Sequence, residues 1–170
     1  MAERNGIPTM YRGVLMRSRT EARWAALFDA VEWPWRYEPR DYKGWIPDFE
    51  IEFPAGTMLV EIKSTGRDFR NAQTKIDLSG YEGPAMILAH EISGRFAGRI
   101  RDRDGGAWAW CQIQFFQCIS CGWVSVHAYD GDWTCRACGD GHGNAHVGHA
   151  DMEDRWTEAG NRVQWKPEAA

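Results

Sequence analysis

The sequence predicts an α/β fold: a mixed central β-sheet flanked by helices in the order α-β-β-β-α-β, with a small four-cysteine zinc ribbon appended. Three observations carry that expectation. Apolar residues recur at helical spacing over residues 19–32, and a two-residue alternation follows over 45–53. Late in the chain, four of the five cysteines fall as two Cys-x-x-Cys pairs. A length of 170 residues suits one domain with a small module added.

The first helix is expected from Arg19 to Glu32, because Trp24, Leu27, Phe28 and Val31 lie on one face of a helix. Ser18 followed by Glu21 forms a capping-box pattern, and Pro34 ends the run. A short strand, Trp35–Glu38, leads through a polar turn to a strand over Trp45–Phe53. There Phe49, Ile51 and Phe53 alternate with Asp48, Glu50 and Glu52. Pro54-Ala-Gly56 turns the chain into a strand over Thr57–Ser64, followed by a helix over Phe69–Leu78 and a strand over Pro84–His90. The polar, glycine-rich stretch 93–106 reads as a linker, which divides the chain into a core (1–106), a ribbon with a leading strand (107–146), and a C-terminal helix and tail (147–170). In the last part Met152, Trp156 and Ala159 keep helical spacing, which suits a helix closing on the core or on another chain.

The two middle strands carry candidate chemistry. Glu61 and Lys63 are two apart on a strand and share a face. If the tight turn makes these strands antiparallel neighbours, placing Asp48 opposite either residue gathers all three, whereas a slip of one residue scatters them. Two carboxylates in reach of each other suit Mg²⁺ or Mn²⁺, and a lysine beside them can orient a water or stabilise charge on a phosphate. That combination describes metal-assisted phosphodiester hydrolysis. The competing explanation is a solvated strand face. It suits Glu50 and Glu52 better than Glu61, whose apolar neighbours place it on a central strand.

Tyr11-Arg-Gly, the run Arg17–Asp29, Tyr37-Glu-Pro39, Pro47-Asp-Phe49 and Val60-Glu-Ile-Lys63 together resemble the PD-(D/E)XK nuclease superfamily, most of all its small phage-type and transposon-type members, over about residues 11–90. The resemblance implies a restriction-endonuclease-like core and an Mg²⁺- or Mn²⁺-dependent DNA endonuclease. It implies Asp48 and Glu61 as metal ligands, the carbonyl of Ile62 as a third, and Lys63 as the catalytic lysine. Glu21 matches the acidic residue that many members carry on the first helix, and it is equally the capping partner of Ser18. Gln73 and Lys75, on the helix after the lysine, match a polar position that contacts phosphate or metal; a solvated helix face is the alternative. Asp77 stands where RecB-like members carry a tyrosine, which argues against that exonuclease type.

Cys118-x-x-Cys121-Gly and Cys135-x-x-Cys138-Gly read as two zinc knuckles, each glycine permitting the tight turn. Cys111 reads as a small hydrophobe, and His142, His146 and His149 as surface histidines. Trp123 and Trp133 either stack on bases or fill the ribbon's own core.

The chain carries a net charge of −4, all of it arising after residue 104, so a uniformly basic nucleic-acid coat is excluded. Local basic groups at Arg12, Arg17, Arg19 and Arg23, and at Arg95, Arg99, Arg101 and Arg103, are the candidate phosphate-contacting surfaces. DNA is the expected partner. One centre cuts one strand, so a double-strand cut calls for a homodimer or a larger nucleoprotein complex. A different class of reading is a non-catalytic module that presents the ribbon to DNA or protein, and another is a subunit active only in a recombination or transposition complex. The apolar runs are too short to span a bilayer and no secretory signal opens the chain, which points to a cytoplasmic protein, the host cytoplasm if phage-encoded.

Overall fold

The computed structural model describes residues 6–64, 66–93, 96–101, 108, 113–128, 133–141 and 149–164. In chain order these form β1 (Thr9–Tyr11), β2 (Val14–Met16), α1 (Arg19–Ala30), β3 (Trp35–Tyr37), β4 (Phe49–Phe53), β5 (Gly56–Lys63), α2 (Gly66–Leu78), β6 (Ala85–Ser93), β7 (Phe96–Arg101), β8 (Ile113–Gln117), β9 (Val124–Ala128) and α3 (His149–Arg162). The central sheet has the order β3-β4-β5-β6-β7. It is mixed: β5 and β6 run parallel, joined across α2, and the other neighbours are antiparallel. Its two faces bury separate cores. Trp24, Phe28, Phe49, Ile51 and Val60 pack on the α1 side, and Leu59, Ile87, Phe69 and Ile76 pack on the α2 side. No described helix is long and apolar enough to cross a membrane.

Helix α1 starts where the capping pattern places it. Ser18 has extended backbone, its hydroxyl accepts the Glu21 N–H at 3.2 Å, and the Glu21 carboxylate accepts the Ser18 hydroxyl at 2.8 Å. Helix α3 closes on α1: the Trp156 ring lies 4.7 Å from that of Trp24, and Met152, Ala159 and Val163 are buried with them.

Three expectations on organisation need correction. A hairpin, β1–β2, precedes α1; Arg12 and Gly13 turn it with φ of 48° and 80°, the left-handed pair that fits a two-residue hairpin turn. The strand expected from Trp45 begins only at Phe49, because Tyr42 and Trp45 close a local bridge and Pro47 has no N–H to offer a ladder. The stretch read as a linker contains β7, an edge strand of the core sheet. Its glycine is a packing requirement: a Cβ at Gly98, with φ of 155°, would lie 2.1 Å from the Ile87 carbonyl oxygen.

The ribbon strands β8 and β9 form their own antiparallel pair. They dock on the α1 face of the core, where the Trp33 indole donates to the Val124 carbonyl at 2.8 Å and its ring lies 6.0 Å from Phe115. Trp123 packs edge-on against Phe53 at 5.6 Å, and the Ala55 N–H donates to the Arg136 carbonyl at 2.9 Å. Trp133 stacks on Phe116 at 5.7 Å. Both tryptophans therefore fill hydrophobic contacts within the chain. Cys111, His142, His146, Arg95, Arg103 and the 107–112 part of the expected leading strand fall outside the described residues apart from Trp108, which lies half-buried.

Candidate functional site

Asp48 sits at the entrance to β4. Its carbonyl accepts the Glu38 N–H at 3.0 Å, which extends the β3–β4 pairing by one residue. The β4–β5 register pairs Phe49 with Val60, so one step further Asp48 faces Glu61 on the central strand. The gathering register is the one adopted. Both carboxylates are buried, Asp48 at 3% exposure and Glu61 at 4%.

Among the described residues each carboxylate has two hydrogen-bond or ion-pair partners. Asp48 Oδ2 accepts the Ile62 N–H at 2.6 Å, and Oδ1 accepts Arg17 Nη2 at 2.6 Å. Glu61 Oε2 accepts the Trp45 indole N–H at 2.8 Å, and Oε1 lies 2.7 Å from Lys63 Nζ. Trp45 is itself 1% exposed and wedged among Leu59, Phe69 and Ile76, so its indole is fixed. Beside the Ser18 hydroxyl, the Glu21 carboxylate accepts the Tyr37 hydroxyl at 2.6 Å and the Arg17 N–H at 3.1 Å. Both Glu21 oxygens accept hydrogen bonds, and its charge acts on Asp48.

Burial, reinforced by the charges of Glu61 and then Glu21, pushes the Asp48 carboxyl up to about 7, against the Ile62 N–H and Lys63. For Lys63 burial pulls the ammonium down, but Glu61 and Asp48 outweigh it, so its pKa rises and it stays cationic. Burial also raises the Tyr37 hydroxyl, helped by Glu21, which keeps it a donor. Two buried carboxylates that already draw two cationic side chains could hold a hard divalent cation. Asp48, Glu61 and the Ile62 carbonyl are the groups that could hold it.

The remaining expected contacts divide. Arg17 lies at the site, its Nε 2.9 Å from Glu38. Arg23 reaches α3: its Nε donates to the Trp156 carbonyl at 2.9 Å and its guanidinium covers that indole at 4.0 Å. Arg101 is corrected. It is 4% exposed, pairs with Asp77 at 2.9 Å and donates to the Tyr81 and Gly83 carbonyls at 2.6 and 3.1 Å. Arg19, Arg99 and Gln73 are half-buried and Lys75 is exposed on α2. Glu50, read as solvated, is 8% exposed and paired with Arg36, while Glu52 is exposed. Trp45 and Tyr37 were missed as site residues.

The four cysteines converge. Their sulfurs all lie within 4.8 Å of one another, with Cys118–Cys138 and Cys121–Cys135 each at 3.7 Å. None is in a disulfide. A tetrahedron of thiolates about 2.3 Å from zinc has edges of about 3.8 Å, so the spacing matches. The two knuckles are alike. The Gly122 N–H donates to the Cys118 carbonyl at 2.7 Å and the Gly139 N–H to Cys135 at 2.9 Å. Both glycines have the left-handed φ (75° and 77°) that the turn needs. This cluster could hold a metal such as zinc, and four thiolates leave no open position for a substrate.

No family model, no curated protein and no solved structure matches the chain.

Proposed function

We propose that the chain is a metal-dependent DNA endonuclease of the PD-(D/E)XK type, with a restriction-endonuclease-like core and a structural zinc in the ribbon. The observation that carries the reading is the β4–β5 register, which brings Asp48 opposite Glu61 and leaves Lys63 bonded to Glu61 at 2.7 Å. The order α1-β3-β4-β5-α2-β6 supports it, because it is the order expected from the sequence for such a core.

An Mg²⁺ or Mn²⁺ ion held by Asp48, Glu61 and the Ile62 carbonyl would lower the pKa of a bound water and offset charge on the phosphate. The chain's own residues do the rest. The Ile62 N–H and Trp45 each fix one oxygen of a carboxylate, which aims the other oxygen outward. Lys63, one-third exposed and cationic, is placed to orient the attacking water or to stabilise charge building on the phosphate oxygens. Glu21 and Tyr37 brace Arg17 and the start of α1 against the same corner.

The test is incubation of the purified chain with a panel of linear, nicked, branched and single-stranded DNAs in Mg²⁺. Internal cutting of at least one substrate, abolished by EDTA, is expected. Release of single nucleotides from ends, or no cutting of any DNA, contradicts the proposal.

A further inference from the structure

Each carboxylate of the site is held by one fixed neutral donor and one cation that reaches towards solvent. The fixed donors are the Trp45 indole, 1% exposed, and the Ile62 amide within β5. The cations are freer: the Lys63 side chain is 33% exposed and that of Arg17 is 60% exposed. Asp48 Oδ2 is tied to the sheet by the Ile62 N–H, so Oδ1 is the oxygen with which Asp48 can meet a cation. Arg17 Nη2 sits on that oxygen at 2.6 Å, while its Nε is anchored 2.9 Å from Glu38.

We propose that Arg17 is an exchangeable counter-ion of the site: it competes with a divalent cation for Asp48 Oδ1, and once displaced it serves as a guanidinium for a DNA phosphate. The inference rests on the reading of Asp48 and Glu61 as cation ligands. A guanidinium and a divalent ion repel each other, so one oxygen cannot serve both at full strength. Displacement leaves Arg17 anchored by Glu38 at the edge of the site, and its planar fork matches phosphate oxygens in pairs. Lys63 differs, because it is held on the central strand against Glu61 and keeps its place beside the reacting group. Arg17 is thus a positioning residue until the cation binds and a substrate contact afterwards.

The experiment is Mn²⁺ binding to the full chain without DNA, followed by calorimetry or electron paramagnetic resonance, for the parent and for Arg17→Gln. The Arg17 backbone N–H keeps its bonds to Glu21 and Tyr37 in the variant, and matching circular dichroism spectra of the two proteins check that the fold is kept. Arg17→Gln is expected to bind Mn²⁺ about tenfold more tightly, the scale of an ordinary coupling between two bound species. In Ca²⁺, where cleavage is suppressed, it is expected to bind DNA more weakly than the parent. A second measurement needs no variant: the ¹⁵Nε–H resonance of Arg17 in the parent should shift over the same Mg²⁺ concentrations that fill the site. Equal Mn²⁺ affinity in both proteins, or an Arg17 resonance unmoved at saturating Mg²⁺, overturns the inference and leaves the nuclease reading standing. Absence of Mn²⁺ binding in both proteins overturns the two together.

Discussion

Two carboxylates facing each other at the end of a strand pair, both almost wholly buried, cost the fold stability that their partners only partly return. Asp48 shows this most clearly. Its carboxyl is raised from the usual 3.8 to about 7 by burial, then by Glu61 and Glu21. A carboxyl raised on folding favours the folded state while protonated, and that contribution is lost as pH climbs from about 4 through 7. Asp48→Asn should therefore raise the melting temperature more at pH 8 than at pH 5 when both are measured in chelator. An equal gain at both pH values means that Arg17 and Lys63 already balance the charge. Trp45 provides a second test. Trp45→Phe keeps most of the ring but removes the donor to Glu61 Oε2, leaving a buried acceptor unmatched at a cost of about 1–3 kcal/mol. Lower stability together with weaker Mn²⁺ binding is expected; unchanged binding would show that the indole does not orient Glu61. In sequence, Asp48, Glu61 and Lys63 were legible because charged residues on apolar strands stand out. Trp45 was hidden because its role depends on a loop conformation, the bridge between Tyr42 and Trp45, that no periodicity announces.

At the scale of elements, the β4–β5 hairpin is shared by two parts of the molecule. Its entrance carries Asp48, and its turn carries Phe53 and Ala55, which meet Trp123 and Arg136 of the ribbon. Five residues of extended chain separate those ends, about 17 Å at strand rise. The ribbon thus grips the hairpin at the end remote from the carboxylates, with its two tryptophans packed against the chain's own aromatics. Loss of the cysteine cluster should consequently weaken more than the ribbon. Cys135→Ser, or removal of the metal by a strong chelator, is expected to lower the melting temperature of the core transition as well, because Trp33 then loses its contact with Phe115 and Phe53 loses its contact with Trp123. A local loss of structure over 118–138, with the core transition unmoved, would show that the ribbon folds and unfolds alone. The cysteine pairs and α1 could be read from sequence because knuckle spacing and a capping box are local chemistry. The hairpin β1–β2 and strand β7 could not be placed by the same means. Three-residue strands carry too little alternation, and β7 contains a glycine demanded by the Ile87 carbonyl and an arginine buried on Asp77.

For the whole molecule, the sheet separates two cores, and the candidate site lies where strand entrance, α1 and the Arg40–Trp45 loop meet. Helix α3 holds α1 from outside, through Trp156 against Trp24 and beneath Arg23. Trp156→Ala should cost about 3–5 kcal/mol, as large-to-small changes in an aromatic core do, and should loosen the element that carries Glu21. Denaturant unfolding with a loss below 1 kcal/mol would place α3 as an accessory. The alternation that foretold β4 and β5 reached as far as their antiparallel pairing and left the register open between Glu61 and Lys63. What lay beyond it was the direction in which basic side chains turn, since Arg23 and Arg101 look alike in sequence to Arg17 but are bound internally. In the proposed function, Asp48, Glu61 and Lys63 form a centre that hydrolyses DNA. Its most direct test is the nicking of supercoiled plasmid in Mg²⁺ by the parent chain and by Lys63→Ala, with both shown to be folded and to bind DNA equally in Ca²⁺. Nicking by the parent, reduced about 10²–10³-fold or more in the variant, is the result expected when a group acting on the developing charge is removed. Equal nicking by both proteins would contradict the claim.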